Sequence, residues 1–356
     1  IPFAILCDDW RYFCLENVPQ FLDGYPNDGS CIVDPDTLQV IDYNTTPTAK
    51  RYYQKLNEEY KKGMISPETF LDTYEEYLDK LSTGAVLGMV DQRWQFYYAI
   101  QTAYDSGNLR SYGCDYVPLP ITIDKKVKNQ WHTARSAELD TASGLSITIS
   151  CEDPEGAMQF VNNLLDPEIT KLRFWGEENL DYSIDENGIF YLNEEQGVRV
   201  NDRKLKKTHF CTYSYFPRSE GMLSDGINAF SPDQPVEFWK SQPRDIQECF
   251  EAYGVTNYVD MLGRNDAPGV WYPMYSYTNS LTSNTQAGQT LERMDEVKHR
   301  WLPQVILAQN FEETWNSYME AYNACDPQSY FEDLQKELDQ RMNKKNSNFC
   351  ILNDKN

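Results

Sequence analysis

The sequence predicts an α/β protein built as two lobes. Three observations point there. The chain has 356 residues, more than one ordinary core holds. Short apolar runs bounded by Gly and Pro alternate with amphipathic helical segments. Its 40% hydrophobic and 24% charged residues are the balance of a globular chain. No internal repeat or low-complexity tract breaks the pattern, and no run of about eighteen apolar residues reads as a membrane span.

The elements follow in order. Residues 1–48 are turn-rich, with "YPNDGS" as a loop signal. Inside them "CIVDPDTLQVIDY" alternates like a hairpin that turns at Asp34-Pro35-Asp36. In "KRYYQKLNEEYKKG", Tyr53, Leu56 and Tyr60 share a helical face and Gly63 closes it. "SPETFLDTYEEYLDKLSTG" predicts one helix, with Ser66 as N-cap, Pro67 in the first turn and Gly84 at the end. "AVLGMV" is a short buried strand, "WQFYYAIQTAY" a helix and "YGCDYVPLP" a strand closed by prolines.

Further on, "GLSITIS" predicts a strand with Leu145, Ile147 and Ile149 on one face. In "CEDPEGAMQFVNNLLD", Asp153 caps and Pro154 opens a helix whose apolar stripe is Ala157, Phe160, Val161, Leu164 and Leu165. "SIDENGIFYL" is a hairpin on Asn187-Gly188. Residues 200–300 read as irregular. Two helices close the chain, one carrying Phe311, Trp315, Tyr318 and Tyr322, the other starting at Pro327. The last ten or so residues read as frayed.

Charge and cysteine narrow the function. The net charge is −23, from 55 acidic and 32 basic residues. Such a surface repels phosphate backbones and anionic lipid, which argues against nucleic acid and direct membrane adsorption. The nine cysteines are odd in number and widely spaced, with no CxxC or Cys/His cluster. They read as buried free thiols, neither a zinc site nor a disulfide framework. No metal and no cofactor is expected. The opening "IPFAILCDDW" has no basic n-region and reads as a strand inside a fold, so an N-terminal segment is expected to precede it.

The binding candidates lie where apolar runs end. In "LSTGAVLGMVDQRWQFYY" a short strand leads into Asp91, Gln92, Arg93 and Trp94. Asp9 and Trp10 end the first apolar run with the same grammar. An indole face suits the C–H face of a pyranose, and the neighbouring polar groups suit its hydroxyl rim. Each Trp reads equally as a core ring beside surface charge. Trp271, Tyr272 and Tyr275 in "APGVWYPMYSY" either plug a lobe or face ligand. Asp225 and Asn228 in "SDGINAF" suit a turn better than a hydroxyl, and Trp175 reads as structural.

The order of "STGAVLGMVDQRW", "YGCDYVPLP" and "SGLSITISCEDPEGAMQFVNNLLD" resembles the carbohydrate-type solute-binding proteins of ABC importers, the group that includes maltose-binding protein. "KLNEEYKKGMISPETF", "FWGEENLDYSIDENGIFY", "FPRSEGMLSDG" and "RWLPQVILAQNFEETWNSYMEAY" resemble the large lipoprotein-type members of Gram-positive bacteria. The likeness covers nearly all of residues 1–342 and lies in the order of loose motifs.

The resemblance implies a two-lobed periplasmic-binding-protein-like fold of type II with an incomplete first lobe. Residues 1–140 would form the second, C-terminal-type lobe, and 141–200 the hinge crossing and part of the first lobe. Residues 201–342 would return to the second lobe, and 343–356 would be a frayed tail. It also implies an extracellular lipoprotein, anchored through the preceding segment, that delivers an oligosaccharide from an interlobe cleft to permease subunits. The ligand residues it implies are Trp94, Arg93, Asp91, Trp10, Asp9, Ser143, Trp271 and Tyr275, with Ser143 just before the strand returning from the hinge. Related binders take other solutes, peptides included.

Two other classes fit the same composition. A glycoside hydrolase needs two carboxylates across a bond, for which Asp8/Asp9 and Asp91 are the candidates. A non-closing adhesion module needs none. No GxSxG, HExxH, Walker or GxGxxG element appears, and His132, His209 and His299 sit in no catalytic pattern.

Overall fold

A computed structural model of the chain describes residues 1–108, 116–130, 135–136, 145–202, 204–205, 216–219, 221–232, 234–262 and 269–353. Two compact units result. One comprises Ile1–Ala142 with Met261–Asn356, the other Ser143–Asp260. The sequence reading returned the chain at residue 201, whereas the second unit runs on to Asp260. The reason is packing: Leu223 is buried against Trp175, Tyr182 and Phe190, and Phe230 packs on the same group.

The first unit is mainly helical. Pro47–Lys61 starts at the Thr46 cap and buries Tyr52, Tyr53 and Leu56. It packs on Gln286–Leu307, which also carries Phe311–Asn323 and Pro327–Asn353. Their shared core holds Leu302, Val305, Ile306, Trp315, Tyr318, Tyr322 and Leu334. Asn57 crosses between helices and donates to the Ile306 and Ala308 carbonyls at 2.8 and 2.7 Å, satisfying orphan acceptors of a helix end. Lys298 is buried in this core, paired with Glu16 at 3.0 Å and Asp295 at 2.9 Å, the condition under which a charge tolerates burial.

Several expectations change in detail. The predicted helix from Ser66 is broken into a 3-10 turn, Pro67–Phe70, and a helix, Tyr74–Ser82. Thr73 and Glu76 form a capping box that starts the second piece afresh. Residues 200–300 are not uniformly irregular: Pro235–Ser241, Arg244–Tyr253 and much of Gln286–Leu307 lie there. The last helix continues to Asn353, into the stretch expected to fray.

Strands are few. Among the described residues three two-stranded sheets occur. The hairpin of Ile32–Val33 with Val40–Ile41 is antiparallel, as is that of Ser183–Ile184 with Phe190–Tyr191. Gly188 turns the second with φ +81°, a region open to Gly at no steric cost. "GLSITIS" is not a strand over its described residues; Leu145 and Ile149 are exposed there. Alternation makes a strand only where an edge is offered to pair with.

The second unit has a small core. Trp175 is fully buried against Tyr182 and Phe190, with ring centroids 5.5 and 5.3 Å away. Gly176, at φ +81°, lets the chain pass tightly over the Asp181 side chain, which holds the Glu177 N–H at 2.9 Å and Arg199 Nε at 2.7 Å. In Pro154–Leu164, capped by Asp153 as expected, only Leu164 is buried. Phe160 and Leu165 of the predicted stripe are exposed. The six cysteines with described side chains, Cys7, Cys14, Cys31, Cys151, Cys249 and Cys325, are free thiols.

Candidate functional site

The residues after the two apolar runs come together. Residues near Ala4 and Met89 lie side by side in parallel: the Ala4 N–H donates to the Gly88 carbonyl at 3.0 Å and the Leu87 N–H to that of Ile1 at 2.9 Å. Buried Ala4, Leu6 and Val86 hold them against Tyr77, Leu81 and Ala99. Parallel neighbours end on the same side. "DDW" and "DQRW" therefore meet, at the carboxyl ends where open α/β folds receive ligands.

Each end turns at once into a helix. Asp9 takes the left-handed φ of +50° and opens the turn Asp9–Tyr12. Arg93–Asp105 begins just after Asp91. The Asp91 carboxylate is engaged from inside: it accepts from the Gln92 N–H at 2.6 Å, Gln95 Nε2 at 2.7 Å and Tyr77 OH at 2.9 Å. Burial raises its pKa above the ordinary value in spite of these bonds. Asp8 likewise accepts the Tyr74 N–H at 2.9 Å. Both carboxylates fix the two turns.

What those turns present is aromatic. The Trp10 and Trp94 rings stack with centroids 5.9 Å apart and planes 9° from parallel. Phe13 packs on both, at 6.0 and 6.4 Å. The two indoles are 54% and 55% exposed, although large rings more often bury. Trp94 Nε1 donates to Gln92 Oε1 at 2.6 Å, which holds the ring. The Arg93 guanidinium lies over Tyr97 at 5.3 Å. Asp9 is exposed beside Trp10.

Arg11 was not among the residues singled out from the sequence. Its guanidinium sits over Trp10 at 4.6 Å and Tyr74 at 4.0 Å. The signal was present, since Arg11 adjoins Trp10 as Arg93 adjoins Trp94.

Trp271 and Tyr275 form another stack, centroids 5.9 Å apart at 26°. Their segment is clamped from several sides. Val270–Trp271 pairs in parallel with Arg135–Ser136, and the Met274 N–H donates to Asp28 Oδ2 at 2.7 Å. Arg341 Nη1 donates to the Pro273 carbonyl at 2.8 Å. Ser143 lies outside the described residues. Asp225 has the turn role expected, accepting the Ile227 and Asn228 N–H groups at 2.9 and 3.0 Å. A separate polar cavity of about 200 Å³ is bordered by Asp23, Tyr25, Asp34, Asp36 and Lys128 and reaches Val270, next to Trp271. Among the described residues no His/Cys/Asp/Glu group is placed to hold a metal ion.

Asp28 makes a testable pH dependence. Burial pushes its carboxyl up from 3.8 to about 6, against the pull of hydrogen bonds from Met274, Ser30 and Trp271. Between those values the folded state holds a proton that the unfolded chain releases. The stabilisation is therefore full below pH 3.8 and is lost as pH rises through about 6. Two pKa units correspond to on the order of 3 kcal/mol. Urea unfolding followed from about pH 4 to 7.5 should show wild type losing more stability than Asp28→Asn. Equal slopes would mean that the carboxyl ionises without cost.

No protein-family model and no curated protein sequence matches the chain. Solved structures do. One is an "HMO binding ABC-transporter associated Solute Binding Protein" from Bifidobacterium longum infantis: TM-score 0.57, 14% identity, 95% of this chain and 64% of that one. Another is the S. pneumoniae ABC-transporter substrate-binding protein FusA, an EF-hand mutant in complex with fructo-nystose: TM-score 0.52, 14% identity, 97% of this chain and 64% of that one. This likeness shows the fold, that of ABC-transporter solute-binding proteins, and the chain spans about two thirds of its neighbours' length, 64% in each case.

Proposed function

We propose that a protein with this fold, displaying paired indoles at the ends of two parallel segments, is the substrate-binding component of an ABC importer. It captures an oligosaccharide and hands it to permease subunits. The Trp10–Trp94 pair carries the reading: two half-exposed, near-parallel rings offer the flat apolar face that a sugar's C–H side needs. Gln92, Arg93 and Asp9 lie beside the rings for the hydroxyl rim. Trp271 and Tyr275 make a further contact, and Asp91 serves by holding the turn. Both fold neighbours bear names of oligosaccharide binders. The protein works outside the cell membrane.

A hydrolase is disfavoured because its acid and base must face the scissile bond. Asp8 and Asp91 instead accept bonds from the protein itself. The test is titration calorimetry against a panel of oligosaccharides and peptides, with each saccharide then analysed for cleavage. Saturable binding of an intact saccharide is expected. Binding of peptides alone, or release of free sugar, would overturn the reading.

A further inference from the structure

We propose that the ligand taken at the Trp10–Trp94 pair carries a carboxylate, and that Arg11 is the residue that reads it. The proposal rests on the carbohydrate reading above and narrows it to acidic, uronic-acid-type oligosaccharides.

Arg11 is half-buried and makes no ion pair among the described residues. Trp10 and Tyr74 lie against its guanidinium, at 4.6 and 4.0 Å. Only the N–H edge is left for hydrogen bonding. Among the described residues no carboxylate or carbonyl accepts a bond from that edge, and Nε is buried without a partner. Two neighbouring carboxylates are engaged elsewhere, Asp8 on the Tyr74 N–H and Asp91 on Gln92, Gln95 and Tyr77, while Asp9 of the same turn is exposed to solvent. Several other cations of this unit are paired, Lys80 with Asp72, Lys298 with Glu16 and Asp295, Arg341 with Glu337.

A buried donor without an acceptor costs stability, and a ligand that brings the acceptor recovers that cost. The planar fork of a guanidinium matches a carboxylate with two parallel bonds, whereas a hydroxyl oxygen offers neither the second atom nor the charge. Tyr74 is itself fixed, its OH donating to the Gln95 carbonyl at 2.5 Å, so the fork is held beside the indoles before ligand arrives. The net charge of −23 opposes an anion at long range. That field is screened beyond about 8 Å at physiological salt, leaving the contacting cation to decide.

The experiment is calorimetry on the full chain with three probes: tetragalacturonic acid, its fully methyl-esterified form, and neutral maltotetraose. The acid should bind at least about tenfold tighter than its ester, which replaces each charged carboxylate by a neutral methyl ester. Arg11→Gln should erase that difference, and Arg11→Lys should keep part of it, with thermal melts verifying the fold. If Arg11→Gln does not fold, the acid-to-ester ratio on wild type decides. An ester that binds as well as the acid, or an acid preference that survives in Arg11→Gln, overturns the proposal while leaving carbohydrate binding intact. No binding of any probe also overturns it, and if the wider saccharide panel is silent too, the carbohydrate reading falls with it.

Discussion

Trp94→Ala is expected to weaken oligosaccharide binding roughly thirtyfold, about 2 kcal/mol, the size of a binding hot spot. The ring is 55% exposed, so truncation removes contact surface more than core. It also strips Trp10 of its stacking partner and leaves Gln92 Oε1 facing water, so the loss exceeds that of one isolated ring. Trp94→Phe should keep part of the affinity because a flat face remains. Calorimetry on both variants, beside thermal melts close to wild type, is the measurement. A folded Trp94→Ala protein that binds like wild type would take the indole pair out of the site.

Trp175→Ala should act on stability instead, by about 3–5 kcal/mol, and within one unit only. The indole is fully buried against Tyr182 and Phe190, and its Nε1 donates to the Ala229 carbonyl at 3.0 Å. Truncation opens a cavity and removes the donor from that acceptor. Among the described residues the unit has little in reserve: beyond this cluster its buried apolar side chains are Leu164, Ile246 and Phe250. Amide exchange should rise in segments 164–192 and 223–230 while helix Gln286–Leu307 stays protected. Equal acceleration in both units would show that they unfold as one body.

Local chemistry was legible where one residue's preference decides. Ser66, Asp153 and Asn187-Gly188 mark caps and a hairpin by their own bonding, and the structure places them there. The likeness between "DDW" and "DQRW" was also legible. Their meeting was not, because it depends on a parallel pairing between Ala4 and Met89 that no local pattern encodes. The inward commitment of Asp91 was hidden for the same reason, since Tyr77 and Cys14 reach it from other elements. Gln286–Leu307 lies mostly in the stretch that reads as irregular, and it holds Pro303 inside the helix, where proline removes a backbone bond. Its Met294, Leu302, Val305 and Ile306 nonetheless keep helical spacing and bury together. Packing on three neighbouring helices outweighs the bond that proline removes.

The distribution of thiols gives the molecule a convenient asymmetry for labelling. Cys7, Cys14 and Cys31 are buried, and burial raises their pKa far from the thiolate form that reacts. Cys325 is buried as well. Cys151 and Cys249, both in the second unit, are only partly covered. Among these six, a maleimide dye applied to the native protein would reach Cys151 and Cys249 first. Indoles of both units, Trp10 and Trp94 in one and Trp175 and Trp239 in the other, then serve as intrinsic donors. Energy transfer from indole to dye becomes a direct optical readout of any rearrangement that ligand brings about, with no engineered cysteine.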